Sequence, residues 1–284
     1  MQFSLSGCGN NGKSDAYGQF EATETTISAE ASGKLLQFKA SEGSRLDTGQ
    51  KVGMIDTTQM VLQHEELESQ LESIEARITN INAEVEVQRE ELALAQSNLK
   101  RIRALKEDRA ATEQQLDDAE ARVKTTKKRI RALQTQKQSV RANIKATQSR
   151  IAQLKEKILD ARIVNPVSGR VLTTFVEQHE LVQQGQPLYQ IANLDTLDLR
   201  IYISGAQLPS VKLNQQVEVL VDKNAAENQS LSGRVSWISS NAEFTPKMIQ
   251  TKEERVTQVY AVKVKVPNPK GILKIGMPGE VNFK

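Results

Sequence analysis

Residues 54 to 165 contain neither glycine nor proline, although the rest of the chain holds 15 Gly and seven Pro. A run of 112 residues without a helix breaker leaves little open to it but helix. Its apolar residues recur in alternating steps of four and three. The first run starts Met60, His64, Leu67, Leu71 and ends at Ile102; the second starts Leu116, Ala119, Val123, Thr126 and ends at Ala161. Eleven of thirteen positions in the first run and eleven of fourteen in the second are apolar. A sustained 3.5-residue period is the seam of a left-handed coiled coil rather than an ordinary amphipathic helix.

Between the runs, in "KEDRAATEQQ" (106–115), the period fails. Thr112 followed by Gln115 is a capping-box pair that starts a new helix. The chain therefore turns near 107–112 and comes back antiparallel, each arm of ~45 residues forming a rod of roughly 70 Å. Burying twenty-two apolar seam positions at ~1–2 kcal/mol each suffices to hold such a hairpin together. A single continuous helix that dimerises would not lose its period in the middle.

The hairpin separates two copies of one motif. "SGKLLQFKASEGSRLDTG" (32–49) and "SGRVLTTFVEQHELVQQG" (168–185) have glycines at matching places, and the register continues through Val52 with Leu188 and Ile55 with Ile191. Glycines at the turns and alternating apolar positions between them describe short, half-buried strands. Since the hairpin brings its own ends together, the two copies are expected to be neighbours in space. Downstream of Asn193, "TLDLRIYI", "QVEVLV" and "VYAVKVKV" alternate in the same way, and "IGMPGEVNF" reads as a closing strand. A second barrel over 194–284 is the economical reading, with Trp237 in its core.

Composition narrows the function. Thirty-eight basic against 35 acidic residues give a net charge of +3, which argues against nucleic acid as a partner. Aromatics at 4 % and two His disfavour an enzyme pocket, and no phosphate-binding glycine loop precedes a helix. No stretch reaches the ~18 apolar residues that span a bilayer. The single cysteine, Cys8, excludes internal disulfides and stands in "LSGC", the small-residue pattern at the cleavage site of bacterial lipoproteins. On that reading Cys8 carries the lipid, and residues 1–18 are a shortened leader and tether.

The two half-motifs resemble the halves of a lipoyl or biotinyl carrier domain. The lysine-bearing hairpin of such carriers is replaced here by the coiled coil, so the modification does not carry over and no cofactor is expected. Half lipoyl motif, coiled-coil hairpin, half lipoyl motif and β-barrel, in that order, resemble the HlyD-type periplasmic adaptors, or membrane fusion proteins. Residues 241–266 look closest to the adaptors of ABC-type exporters.

The resemblance implies an α+β chain in which a long antiparallel coiled-coil hairpin (59–162, tip near 103–113) is inserted in a split lipoyl-like β-barrelette. Its halves are 19–58 and 163–193, and a second β-barrel domain (194–284) follows. It further implies a non-enzymatic adaptor in the periplasm of a Gram-negative bacterium, anchored to the inner membrane by lipid. Such an adaptor oligomerises as a ring or tube and links an inner-membrane ABC-type exporter to a TolC-like outer-membrane channel. Hairpin tips of the family are similar to an Arg, Leu, Ser pattern, matched here by Arg101, Leu105 and Thr112, with Thr in place of Ser. A coiled-coil scaffold and a lipoyl-type carrier are the competing readings; the first leaves the split repeat unexplained, the second lacks the carrier lysine.

Overall fold

The computed structural model describes residues 14–223, 227–244 and 258–283. Strands β1 (Ala16–Glu21), β2 (Glu24–Ser28), β3 (Gly33–Phe38), β4 (Arg45–Leu46) and β5 (Lys51–Ile55) lead into α1 (Thr58–Glu107). After α2 (Glu113–Asp160) come β6 (Arg162–Val164), β7 (Gly169–Thr174), β8 (Leu181–Val182) and β9 (Pro187–Ala192). The chain ends in β10 (Thr196–Ser204), β11 (Gln216–Asp222), β12 (Asn228–Ile238), β13 (Glu243–Phe244), β14 (Gln258–Pro267) and β15 (Pro278–Asn282).

The two motif copies are interlocked. Sheets β2-β9-β7-β4 and β6-β5-β3-β8 each draw strands from both halves. Gly33 of β3 pairs with Val182 of β8, and Gly169 of β7 pairs with Leu46 of β4: the same pairing with the copies exchanged. The turns follow the same rule. Gly49 N–H donates to the Asn165 carbonyl and Gly185 N–H to that of Ala29; His179 N–H donates to Leu35 and Gly43 N–H to Val171. Neither half closes its own edges, so the two form one core, with Leu35, Val52, Ile55, Val182, Leu188 and Ile191 fully buried.

At the base of this unit the hairpin is clamped. β5 runs into α1, α2 runs into β6, and β5 pairs with β6 through Met54↔Arg162 and Lys51↔Val164. Ile55 N–H also bonds the carbonyl of Ala161 at the end of α2. Asp56 Oδ1 accepts from both the backbone N–H and the hydroxyl of Thr58, capping the start of α1. Those bonds hold its carboxyl below the usual carboxylate range. Along the arms Ile81, Val85, Leu133 and Val140 bury together at seam positions.

The last unit is a closed barrel of six strands, β10-β1-β15-β11-β12-β14, which β10 and β14 close by pairing; β13 extends β14 beyond it. This corrects the sequence-based boundaries. β1 lies at the N-terminal side of the chain, where a tether and the first lipoyl half were expected, yet it pairs with β10 and β15. Phe20 drives this placement: it is fully buried in the barrel core beside Leu199. Gly18 permits it, since a Cβ there would collide with the carbonyl of Arg200. Trp237 is the second correction. A bulge between Val235 and Trp237 turns the indole outward, leaving it 42 % exposed while Val235 fills the core.

Candidate docking site at the hairpin tip

The turn between the arms is built by two complementary helix ends. At the end of α1, Arg109 adopts the left-handed conformation, with φ of 58°. Ala110 N–H reaches back to the carbonyl of Leu105 and Arg109 N–H to that of Lys106, the two bonds of a Schellman cap. A glycine is usual at that position; here an arginine occupies it, so a cation stands at the apex. At the start of α2 the expected capping box is present. Thr112 N–H donates to Gln115 Oε1 at 2.9 Å, and Gln115 N–H donates to Thr112 Oγ1 at 3.3 Å.

Two ion pairs brace the turn from arm to arm: Lys106 Nζ–Glu113 Oε2 and Arg103 Nη2–Glu120 Oε1, both 2.6 Å. Period and motif did not point to these pairs or to Arg109. Their signal was the excess of cations in 100–106 facing anions in 113–120, visible only once the arms are set level.

Arg101 and Leu105 lie one helical turn apart on the same flank of α1. Arg101 Nη2 donates to Asn98 Oδ1 at 2.7 Å, which steadies an otherwise exposed guanidinium. Leu105 is 39 % exposed, a large apolar side chain at the end of a solvated rod. Thr112 stands across the turn from them, exposed, with its hydroxyl engaged in the cap. No hydrogen bond joins it to Arg101 or Leu105. The tip thus offers an apolar spot beside a planar donor with remaining N–H groups, suited to carbonyls or carboxylates of another protein. Cys8 lies outside the described residues. Among the described residues, no helix is long and apolar enough to cross a membrane.

Residues 23–194 match the family model described as RND MFP, barrel-sandwich hybrid domain. The chain belongs to this membrane fusion protein family. Families of this kind are adaptors of efflux systems rather than enzymes; they oligomerise and work with inner-membrane transporters and outer-membrane channels. A UPF0194 membrane protein of Yersinia enterocolitica is 23 % identical over 94 % of this chain and 88 % of its own length. Among solved structures, MacA from Actinobacillus actinomycetemcomitans superposes with a TM-score of 0.57 at 22 % identity, over 95 % of this chain and 77 % of that one. The membrane fusion protein Spr0693 from Streptococcus pneumoniae R6 gives 0.59 at 14 % identity, over 94 % and 97 %. At these identities the likeness speaks for the fold, including the hairpin inserted in a split β-unit.

Proposed function

We propose that this membrane fusion protein is a periplasmic adaptor, held at the inner membrane by lipid on Cys8. In this reading it joins an ABC-type exporter to a TolC-like outer-membrane channel through Arg101, Leu105 and Thr112. The observation that carries the docking role is the tip itself: an exposed leucine and an arginine with spare donors at the far end of a ~75 Å hairpin. Single exposed apolar side chains also occur along the shaft, at Leu62, Val87 and Leu94, so it is the place of Leu105 beside Arg101 at the tip, rather than its exposure, that supports docking. The exporter class rests on the likeness of residues 241–266 to adaptors of ABC-type exporters; 245–257 lie outside the described residues. The matching family model is named for RND systems, so an RND pump is the second reading.

The test uses the full-length precursor in cells, with a photo-crosslinker at Arg109 beside the tip and another at Lys145 on the shaft. The docking reading expects an outer-membrane channel from the tip probe and none from the shaft probe. Capture of only cytoplasmic proteins by both would return the chain to a scaffold. Copurification of the inner-membrane partner separates the exporter from the RND pump.

A further inference from the structure

The last barrel has a cleft that takes no part in the hairpin or its docking role. β12 runs from Asn228 to Ile238, but β14 pairs with it only from Arg234 onward. Pro267 ends β14, since a proline has no N–H to carry the ladder further. Beyond it, Asn268 draws the chain aside. Its Nδ2 donates to the carbonyls of Leu194 and Leu273, and its Oδ1 accepts from Leu273 N–H. The first half of β12, from Asn228 to Gly233, is left with no strand on that flank. A cleft of about 290 Å³ opens between it and the 267–273 loop.

Two chemistries meet there. Leu231, Pro267, Pro269, Ile272 and Leu273 make the lining largely apolar, and Ile272 is 41 % exposed while Leu273 is buried. Ser232 and Pro267 also line an adjoining hollow of about 370 Å³, shared with Thr196, Gln216, Arg234 and Lys265. Arg234 and Lys265 stand directly opposite each other on β12 and β14, both exposed. Like charges in that relation destabilise a sheet. Among the described residues neither has an ion pair or a side-chain hydrogen bond, although Asp198 lies across from Lys265 on β10. Lys270 adds a third cation to the lining. Among the described residues no Asp or Glu lines either hollow; Glu218, on the neighbouring β11, accepts from Ser230 Oγ at 2.6 Å.

We propose that this cleft binds a single-chain anionic amphiphile, with a phosphate held between Arg234 and Lys265 and an alkyl chain laid against Leu231, Pro267 and Ile272. The guanidinium can grip a phosphate through two N–H bonds while the ammonium supplies a point charge. The apolar part has about twice the ~150 Å³ that admits benzene, which is room for roughly eight to twelve carbons. The occupant is a dissolved molecule rather than a bilayer surface. β1, which follows Cys8 in the chain, starts at the opposite end of the barrel, where Tyr17 pairs with Tyr202, roughly 20 Å along β10 from Thr196. This site goes beyond the adaptor reading and does not depend on it.

The test is isothermal titration calorimetry of the full chain with alkyl phosphates below their micelle concentrations, and circular dichroism verifies the fold of each variant. Over chains of about six to fourteen carbons, one molecule should bind per protein, roughly twofold more tightly for each added methylene. The gain should stop near roughly twelve carbons, where the cleft is full. Arg234→Gln/Lys265→Gln should weaken every phosphate at least about tenfold and leave the gain per methylene unchanged. Ser232→Trp sets a large ring at an exposed position where the two hollows meet, and should abolish binding. Absence of saturable binding, a gain that continues through the longest chain, or full affinity in Ser232→Trp overturns the site. Vesicles of phosphatidylglycerol should sediment the wild type and Ser232→Trp equally; a surplus of wild type would give the cleft to a bilayer and overturn the dissolved occupant. Binding of an acidic peptide of alternating Glu and Val, with none of the phosphates, would give it instead to a strand added along β12.

Discussion

His179 occupies in the second motif copy the place that Gly43 occupies in the first. Both are left-handed, with φ of 77° and 79°, and both N–H groups make the exchanged bond, His179 to Leu35 and Gly43 to Val171. A Cβ in that conformation costs ~1–2 kcal/mol, so one half of the unit carries strain that the other half avoids. His179→Gly should raise stability by about 0.5–1 kcal/mol in chemical denaturation, with the flexibility of the unfolded glycine offsetting part of the relief. His179→Val should lower it by more than that.

Gly18 should tolerate no side chain. Gly18→Ala forces β1 away from the Arg200 carbonyl and should cost about 1–3 kcal/mol. The loss should fall on the barrel, where Phe20 unseats, and hydrogen exchange should show β10 and β15 opening while the arms stay protected.

Gln88 is a polar residue on the seam, and its Oε1 is buried with no partner in the structure. Gln88→Leu removes that orphan acceptor and extends the Ile81–Val85–Leu133–Val140 cluster, so it should stabilise the hairpin by about 1–2 kcal/mol. A lowered melting temperature in calorimetry would contradict this.

Tyr189 is fully buried, and its hydroxyl donates to Asn165 Oδ1 at 3.1 Å. Burial pushes its pKa from 10.0 up to about 12. The unfolded tyrosine therefore loses its proton first. Its contribution to stability is complete below pH ~10 and is lost as pH rises from there through about 12. Tyr189→Phe should flatten that alkaline loss, while costing about 1–3 kcal/mol at neutral pH by leaving the amide oxygen of Asn165 unpaired. Urea titrations across the alkaline range would reveal both effects.

Thr112 has two roles that substitutions can separate. Thr112→Asn keeps an N-cap oxygen and should leave helicity intact, whereas Thr112→Ala should lose about 1 kcal/mol of hairpin stability. If channel capture by the Arg109 probe survives Thr112→Asn, the residue serves the turn. If capture is lost with the fold unchanged, its side chain meets the partner.

The parts legible in the sequence were those governed by local rules. The absence of breakers over 54–165 and the seam from Met60 to Ala161 specify the hairpin, and the glycines at 33, 49, 169 and 185 specify the repeat. The capping box at Thr112 is likewise a short-range pattern. Partner choice was not legible. "AYGQFE" has the alternation of a strand but nothing that says its neighbours lie about 180 and 260 residues away in β10 and β15. Trp237 was misplaced because a one-residue bulge reverses facing, and bulges leave no mark in an alternation pattern. At the tip, Arg109 was hidden because the left-handed cap was filled by a residue that does not advertise it.

The exchanged strands also order events in time. A nascent chain that ends before β9 holds no partner for β2, one that ends before β8 leaves β3 paired on one side only, with β5, and β1 must wait longer still, for β10 and β15. Such distant contacts would close slowly across a flexible loop of 112 residues. The helical arms need no such wait, because they zip from their own turn outward by local contacts. On arriving at Thr58 and Asp160 they have already delivered β5 and β6 to each other's side. The hairpin is thus a folding device as well as a reach: it sets Met54 and Arg162, 108 residues apart in the chain, side by side.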